Sequence, residues 1–154
     1  MNELKDFYEE YIRSLLDHNV RFIIFGGFAV NLYGFSRVTE DLDVWIDPDE
    51  ENLKRLSGVI ADLGFPKDTH LTDFIDGKSI MLRLTDDGYR VDQLTKININ
   101  KPFEEAFKVA VWISLPYGKI PFLSYDDLID EKIRSKRPKD ILDVQQLRKI
   151  RKEI

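Results

Sequence analysis

Two aspartates, Asp41 and Asp43, stand two residues apart in a segment of alternating apolar and polar residues. In a β-strand, side chains two residues apart project from the same face, with Cα atoms roughly 6.5–7 Å apart. A third acid, Asp92, falls in a later strand-like segment, and three unpaired carboxylates this close would repel one another without cations nearby. Such oxygen ligands could hold one or two Mg²⁺ ions about 3.5–4 Å apart, an arrangement suited to phosphoryl and nucleotidyl transfer.

An anion site is predicted upstream of these acids. Gly26 and Gly27 separate a short apolar run from a segment with helical character, which predicts a strand, a tight turn and a helix. Backbone N–H groups at a helix start attract anions, and glycine lets a phosphate approach without a Cβ in the way. Arg37 could pair with a phosphate oxygen, or instead with Asp41 or Asp43. This order predicts a triphosphate between phosphate-binding amides and metal-binding acids.

Apolar periodicity predicts the elements that must position these residues. Apolar residues recur three and four apart in the first segment and again after Pro48, a pattern typical of amphipathic helices. Short runs of branched and aromatic residues between turn signals are typical of strands. A capping box at Ser124 and Pro138 at a first helical position predict two C-terminal helices. The predicted strands are residues 21–25, 41–47, 79–84, 89–94, 109–115 and 119–122; the earlier predicted helices cover about 4–17, 28–33 and 49–63, and residues 65–78 are predicted as a loop.

These elements predict an α/β fold of the α+β class. We expect a mixed, mostly antiparallel sheet flanked by helices, with a short C-terminal helical extension. The 154 residues leave room for a single domain, residues 1–154, with its core at about 20–122 and its C-terminal helices at about 124–153. The 43% hydrophobic content is too high for a disordered chain.

Composition excludes several kinds of site. Cysteine is absent, which excludes disulfides, thiolate catalysis and Cys-ligated zinc, and two histidines cannot build a His-rich zinc site. Any metal must therefore bind mainly through oxygen. A net charge of −5 argues against binding nucleic acid through the overall field, although a local basic patch remains open. The absence of a signal-peptide pattern and of an apolar run near 20 residues predicts a cytoplasmic protein with no membrane association.

Three consecutive motifs in this sequence resemble the signature of the DNA polymerase beta-like nucleotidyltransferase superfamily. They are GGFAVNLYG at 26–34, RVT at 37–39 and DLDVWI at 41–46. The chain is most similar to the small bacterial branch, which contains toxin-type nucleotidyltransferases of abortive-infection systems and lincosamide-modifying enzymes. Val91-Asp92 matches the later strand that bears the third acid. The resemblance covers roughly residues 20–150, and its C-terminal part consists of LSYDDLI at 123–129, Lys132, RPKD at 137–140 and Asp143.

The resemblance implies a role for each matching residue. Asp41 and Asp43 would bind metal, and Asp92 would join them and help to activate the acceptor hydroxyl. Many members carry Gly-Ser where this chain has Gly26-Gly27, so the grip on the triphosphate would rest on backbone amides alone. The candidate nucleotide-binding residues are Gly26, Gly27, Arg37, Thr39, Lys132 and Lys139. Thr39 has the alternative of capping the backbone, and the two lysines that of lying on a solvated helix face.

The implied activity is transfer of a nucleoside monophosphate from a nucleoside triphosphate to an acceptor hydroxyl or phosphate. Pyrophosphate is released, with Mg²⁺ or Mn²⁺ as cofactor. The acceptor is left open between RNA such as tRNA, protein and a small molecule of the antibiotic type, and an antitoxin is a candidate partner. A catalytically silent interaction module is an alternative. A glycosyltransferase is a weaker one, because its usual nucleotide-binding domain would crowd this length and the glycines stand in the wrong place for it.

Overall fold

The computed structural model describes residues 6–39, 41–65, 74 and 79–153. Helices and strands alternate along these ranges, and their bounds agree with the sequence prediction to within a few residues, apart from one helix that was not predicted. Residues 66–73 and 75–78 of the predicted 65–78 loop lie outside the described residues, as does Leu4. The elements are α1 (Asp6–Asp17), β1 (Phe22–Phe25), α2 (Gly26–Leu32), β2 (Asp41–Ile46), α3 (Glu50–Asp62), β3 (Ile80–Arg83), β4 (Arg90–Leu94), α4 (Phe103–Lys108), β5 (Val111–Leu115), β6 (Gly118–Phe122), α5 (Tyr125–Ser135) and α6 (Pro138–Lys152).

The six strands form one mixed sheet in the order β3-β4-β2-β1-β6-β5. Strand β1 pairs antiparallel with β2 and parallel with β6, and β2 pairs parallel with β4. The outer pairs, β3 with β4 and β5 with β6, are antiparallel. The predicted α+β class and the mostly antiparallel sheet are therefore confirmed, and the two acid-bearing strands β2 and β4 lie side by side.

The core lies where the apolar periodicity predicts it. All four residues of β1 are buried, and Leu42, Val44 and Ile46 of β2 have no exposed surface. Helix α1 buries the stripe that begins at Tyr8, and its Tyr11 hydroxyl donates a hydrogen bond to Gln93 Oε1 at 2.7 Å. Burial raises the pKa of Tyr11. This packing fixes one face of the sheet, to which Gln93 belongs, and leaves the charged residues Asp41, Asp43, Arg90 and Asp92 of β2 and β4 on the other.

Residues with capping or turn preferences lie at the ends of the helices, as predicted. Gly64 follows α3 with φ of +86°, a conformation that favours glycine because L side chains clash there. Ser124 Oγ accepts a hydrogen bond from the Asp127 amide at 3.2 Å and caps α5. Pro138 opens α6. The two C-terminal helices are therefore set by their own sequences.

One helix, α4, was not predicted. It has only six residues, too few for a helical period to stand out in the sequence. Its first residue, Phe103, is buried and meets the Trp45 ring edge-on, with centroids 5.3 Å apart. The Trp45 indole also donates a hydrogen bond to the Thr95 carbonyl oxygen at 3.1 Å.

Across the described ranges, no helix has the length and apolar character needed to cross a membrane.

Candidate active site

Strand register brings the predicted acids onto one face of the sheet. On neighbouring strands β2 and β4, Asp41 stands opposite Arg90 and Asp43 stands opposite Asp92. Residues paired across two strands share a face, so these four charged side chains are neighbours on one face of the sheet. We call Asp41, Asp43 and Asp92 the acidic face. The alternation of β2 thus places the two aspartates of the D-x-D motif as predicted, and the parallel pairing adds the third.

Within the acidic face, Asp43 is the residue whose pKa departs most from its ordinary value. Burial raises the pKa of Asp43 to about 7, and the neighbouring carboxylates of Asp92 and Asp41 act in the same direction. Lys132 opposes this shift but does not cancel it. No ion pair joins Asp43 to the residues that the structure describes, and a bound cation would favour its charged form.

The other two acids share one cation, Arg90. Its Nη2 lies 3.1 Å from Asp41 Oδ2 and its Nε lies 3.7 Å from Asp92 Oδ1. Burial raises the pKa of Asp92, Arg90 lowers it, and Asp41 raises it again, so that the net direction is upward. Sequence reasoning missed Arg90. The signal was present, because Arg90 stands two residues before Asp92 in a strand and must share its face.

Gly26 and Gly27, the first two residues of α2, are called the glycine turn. It lies directly against the acidic face. Gly26 has φ of +67°, and a Cβ added there would overlap the Asp43 carboxylate. At Gly27 a Cβ would overlap Thr39 Oγ1 and come within 3.4 Å of Arg37 Nη1. Both glycines have little exposed surface, because these side chains are close to them. Glycine at position 26 therefore allows the turn to contact the acidic face, and glycine at position 27 allows it to contact Thr39.

All nine predicted site residues line one cavity of about 760 Å³. The glycine turn and the acidic face form one side, and residues of α5 and α6 form another. The lining includes Gly26, Gly27, Arg37, Thr39, Asp41, Asp43, Asp92, Lys132 and Lys139, together with Arg90, Lys96, Glu131 and Arg137. The structure therefore brings together residues that lie up to 113 positions apart in the sequence.

Several basic residues at this cavity are held by acids of α6. Arg37 donates two hydrogen bonds to Asp143, from Nε to Oδ1 at 2.8 Å and from Nη2 to Oδ2 at 3.0 Å. Lys132 Nζ lies 3.0 Å from Asp140 Oδ1 and 3.1 Å from Asp143 Oδ2. We call Arg37, Lys132, Asp140 and Asp143 the α5–α6 ion cluster. The pairing of Arg37 with Asp41 or Asp43, one of the sequence alternatives, is not what the structure shows.

Three members of the α5–α6 ion cluster are buried, and Arg37 is partly exposed. The Lys132 side chain is 3% exposed, and those of Asp140 and Asp143 are 0% and 2% exposed. Burial alone would raise the pKa of Asp140, but hydrogen bonds from Ser135, Arg137 and Lys132 bring it below its ordinary value. Lys139, in contrast, is exposed at the same cavity, and no ion pair joins it to the residues that the structure describes.

Glu131 is a further acid that sequence reasoning missed. It is 4% exposed and lines the cavity, and its Oε2 has no hydrogen-bond partner among the described residues. Burial raises the pKa of Glu131, while Lys132 lowers it. No spacing rule in the sequence marks Glu131, because it lies in an ordinary amphipathic helix.

The ligand atoms of the acidic face are of the type that a divalent cation prefers. They are carboxylate oxygens on one side of a polar cavity, and two of the three carboxyl groups have a raised pKa. The three carboxylates are not arranged to hold a cation in this structure. In the described part of the chain, no group of three or more His, Cys, Asp or Glu residues could hold a metal ion. Arg90 contacts two of the three acids instead.

Solved structures of nucleotidyltransferases share this fold. The lincosamide antibiotic adenylyltransferase LnuA, bound to lincomycin, superposes with a TM-score of 0.61 at 20% identity, over 97% of this chain and 99% of that one. ANT(2")-Ia, in complex with adenylyl-2"-tobramycin, gives 0.55 at 14% identity, over 91% and 84%. An antigenic nucleotidyltransferase-like protein from Paracoccidioides brasiliensis gives 0.53 at 18% identity, over 92% and 74%. At these identities the likeness shows the fold alone.

The comparison by sequence is more specific. No curated protein gives a match to this chain. A family model, described as the nucleotidyl transferase AbiEii toxin of a type IV toxin–antitoxin system, matches residues 11–154. The match includes the glycine turn, the acidic face and the α5–α6 ion cluster. The superfamily resemblance inferred from the motifs is confirmed, and the chain belongs to the AbiEii family of nucleotidyltransferases.

Proposed function

We propose that the protein transfers a nucleoside monophosphate from a nucleoside triphosphate to an acceptor, using Mg²⁺ or Mn²⁺. The observation that carries this proposal is the acidic face, where three carboxylates share one side of a polar cavity with a single shared arginine. Family membership supports the nucleotidyltransferase reaction. The bond from the α-phosphorus to its bridging oxygen breaks, the acceptor oxygen bonds to phosphorus, and pyrophosphate leaves.

We assign the metal ligands to the acidic face. Asp41, Asp43 and Asp92 would hold the cation, which when bound supplies charge stabilisation for the transferring phosphoryl group and favours the acceptor alkoxide. Asp92 lies on β4, on the far side of Asp43 from the glycine turn. This position suits the carboxylate that accepts the proton of the acceptor hydroxyl.

We assign the triphosphate to the side of the cavity between the glycine turn and α6. Gly26 and Gly27 begin α2 and line this side of the cavity, so their backbone is the part of the turn that a phosphate would meet. Lys139 is exposed and carries an unmatched positive charge, so we assign it direct contact with a phosphate. Arg37 and Thr39 lie against Gly27, within reach of the same anion. Lys132 is held by two aspartates, so we propose that it acts on the nucleotide mainly by fixing α6 and Lys139.

The test is transfer of label from α-³²P nucleotides. Purified protein is incubated with each of the four nucleotides, Mg²⁺ and a cell extract, and label is followed into RNA, protein and small molecules. Asp43→Asn should lower the rate by at least about a hundredfold, since it removes a central ligand. Asp86→Asn, the same substitution at the exposed β3–β4 turn, is the control and should keep the parental rate.

The outcomes separate the proposal from a catalytically silent module. Asp43→Asn protein that retains its fold and the parental rate would refute the proposed mechanism. Calorimetry gives a second discriminator. An absence of heat with every nucleotide and Mg²⁺ would favour a silent interaction module over an enzyme.

The family favours an acceptor of the toxin type, either RNA or protein, and a cognate antitoxin as partner. Label in RNA or protein would support this assignment. A growth defect caused by expression of the protein and suppressed by co-expression of a neighbouring gene would support it further. A small-molecule acceptor is the second candidate. It is favoured by the match to LnuA, an adenylyltransferase of lincosamide antibiotics, over nearly the whole of both chains. Label that appears only in small molecules would support this second candidate.

A further inference from the structure

The acidic face already carries a cation of its own, the Arg90 guanidinium. It contacts Asp41 Oδ2 at 3.1 Å and Asp92 Oδ1 at 3.7 Å, and thereby joins strands β2 and β4. A divalent cation held by Asp41 and Asp92 would need the carboxylate oxygens that Arg90 now contacts. Two cations cannot lie between these carboxylates at once, because their charges repel and the space is shared.

Arg90 is free to leave this position. Its side chain is 45% exposed and lines the cavity. Arg37 at the same cavity differs, because it makes two hydrogen bonds to the buried Asp143. A half-exposed ion pair is worth only about 1 kcal/mol or less, so a stronger ligand can replace it.

The nucleotide supplies the next partner. A cation held by the acidic face brings phosphate oxygens to the same cavity that Arg90 lines. A guanidinium displaced from carboxylates meets phosphate oxygens with matching geometry and charge. We propose, on the basis of the proposed function, that Arg90 changes partners on substrate binding: it leaves Asp41 and Asp92 to the cation and binds a phosphate of the nucleotide.

This exchange couples the two ligands. Free cation binds weakly, because it must displace Arg90 without giving it a new partner. The cation and polyphosphate together bind more tightly than either does alone, because Arg90 then pairs with phosphate. Such coupling keeps Asp41 and Asp92 paired with Arg90 before substrate arrives and makes cation binding depend on the nucleotide.

The experiment measures binding without catalysis. The Mn²⁺ dissociation constant is read from the electron paramagnetic resonance signal of free Mn²⁺. Arg90→Gln should bind Mn²⁺ about tenfold more tightly than the parent, since a competing charge is gone. Arg83→Gln is the matched control. Arg83 stands opposite Arg90 on β3, on the same face, and makes no ion pair with the described residues. It should change Mn²⁺ affinity less than about twofold.

In the second measurement, Arg90→Gln should weaken binding instead of strengthening it. Inorganic tripolyphosphate is titrated by calorimetry at saturating Mg²⁺, where cation affinity no longer limits binding. Arg90→Gln should now bind about tenfold more weakly than the parent, because it has lost a phosphate ligand. Arg83→Gln should again stay close to the parent.

Two results would overturn the exchange. One is equal Mn²⁺ affinity in the two arginine variants. The other is tighter Mn²⁺ binding by Arg90→Gln with tripolyphosphate binding unchanged, which would leave Arg90 as a competitor only. A parent protein that binds neither probe would refute the proposed function and the exchange together. A parent that binds both probes and transfers label, while the two variants behave alike, would refute the exchange alone.

Discussion

The acidic face and the α5–α6 ion cluster lie on the same cavity but handle charge in opposite ways. In the cluster, each buried charge meets its opposite, as Lys132 does with Asp140 and Asp143. On the acidic face, two of the three carboxylates share Arg90, and the pKa of Asp43 and that of Asp92 are both raised. Loss of one partner from a matched buried pair destabilises a fold, whereas unmatched carboxylates favour binding of a cation. The family resemblance covers both regions, and we propose from their charge balance that the cluster has a structural role and the acidic face a chemical one.

The largest expected effect comes from breaking the cluster. Asp143→Ala removes the acid that receives both Arg37 and Lys132, and leaves two cations without that partner. We expect a loss of about 3 kcal/mol in the free energy of unfolding, measured by urea denaturation. Asp130→Ala removes an exposed acid paired with Arg134 and should cost less than about 0.5 kcal/mol. Equal losses in the two variants would show that the cluster does not stabilise the fold.

The next effect tests the contact between the glycine turn and the acidic face. Gly26→Ala and Gly64→Ala both put a side chain at a positive φ, which costs about 1 kcal/mol. Only the first also overlaps a neighbour, the Asp43 carboxylate, whereas the space around Gly64 is open. Gly26→Ala should therefore cost at least about 1 kcal/mol more in urea denaturation. The same cost at both sites would mean that Asp43 yields freely.

Removing the unmatched charge of Asp43 should stabilise the fold, whereas the two preceding substitutions destabilise it. Because the folded chain raises the pKa of Asp43 to about 7, ionisation of this group costs stability as pH rises from about 4 through 7. Asp43→Asn carries no such cost. It should raise the melting temperature by about 3 °C or more at pH 8 without metal, and by much less near pH 4.

Asp86→Asn provides the control for that measurement, because Asp86 is exposed and does not line the cavity, and it should leave the melting temperature close to that of the parent. A lower melting temperature for Asp43→Asn at pH 8 would contradict the assignment of an unfavourable buried charge. The comparison with Asp143→Ala is then direct. One aspartate stabilises the fold and the other destabilises it, at the same cavity.

The smallest effect concerns the exposed Lys139. Lys139→Gln should raise the KM for nucleotide about fivefold and leave the free energy of unfolding unchanged, because a single partly solvated contact to phosphate is lost. Lys149→Gln, an exposed residue further along α6, is its control. A stability loss in Lys139→Gln without a change in KM would place Lys139 with the structural charges.

Local patterns predicted most of the fold because each element carries its own signal. Alternation in β2 gave the shared face of Asp41 and Asp43, and the capping box at Ser124 gave the start of α5. Helix α4 escaped prediction because six residues hold too little periodicity. The nine candidate site residues were named from motifs, and the structure places them at one cavity. Their roles remain predictions.

By itself, then, the sequence determined the family, the fold class and the identity of the acids, because turns, caps and alternation are encoded between near neighbours. Tertiary structure decided which charge meets which. Arg37 pairs with Asp143, 106 residues later, because α6 packs against the cavity. Arg90 reaches Asp41 because β2 and β4 pair in one particular register. Such partners follow from how whole elements dock, and no short stretch of sequence specifies that.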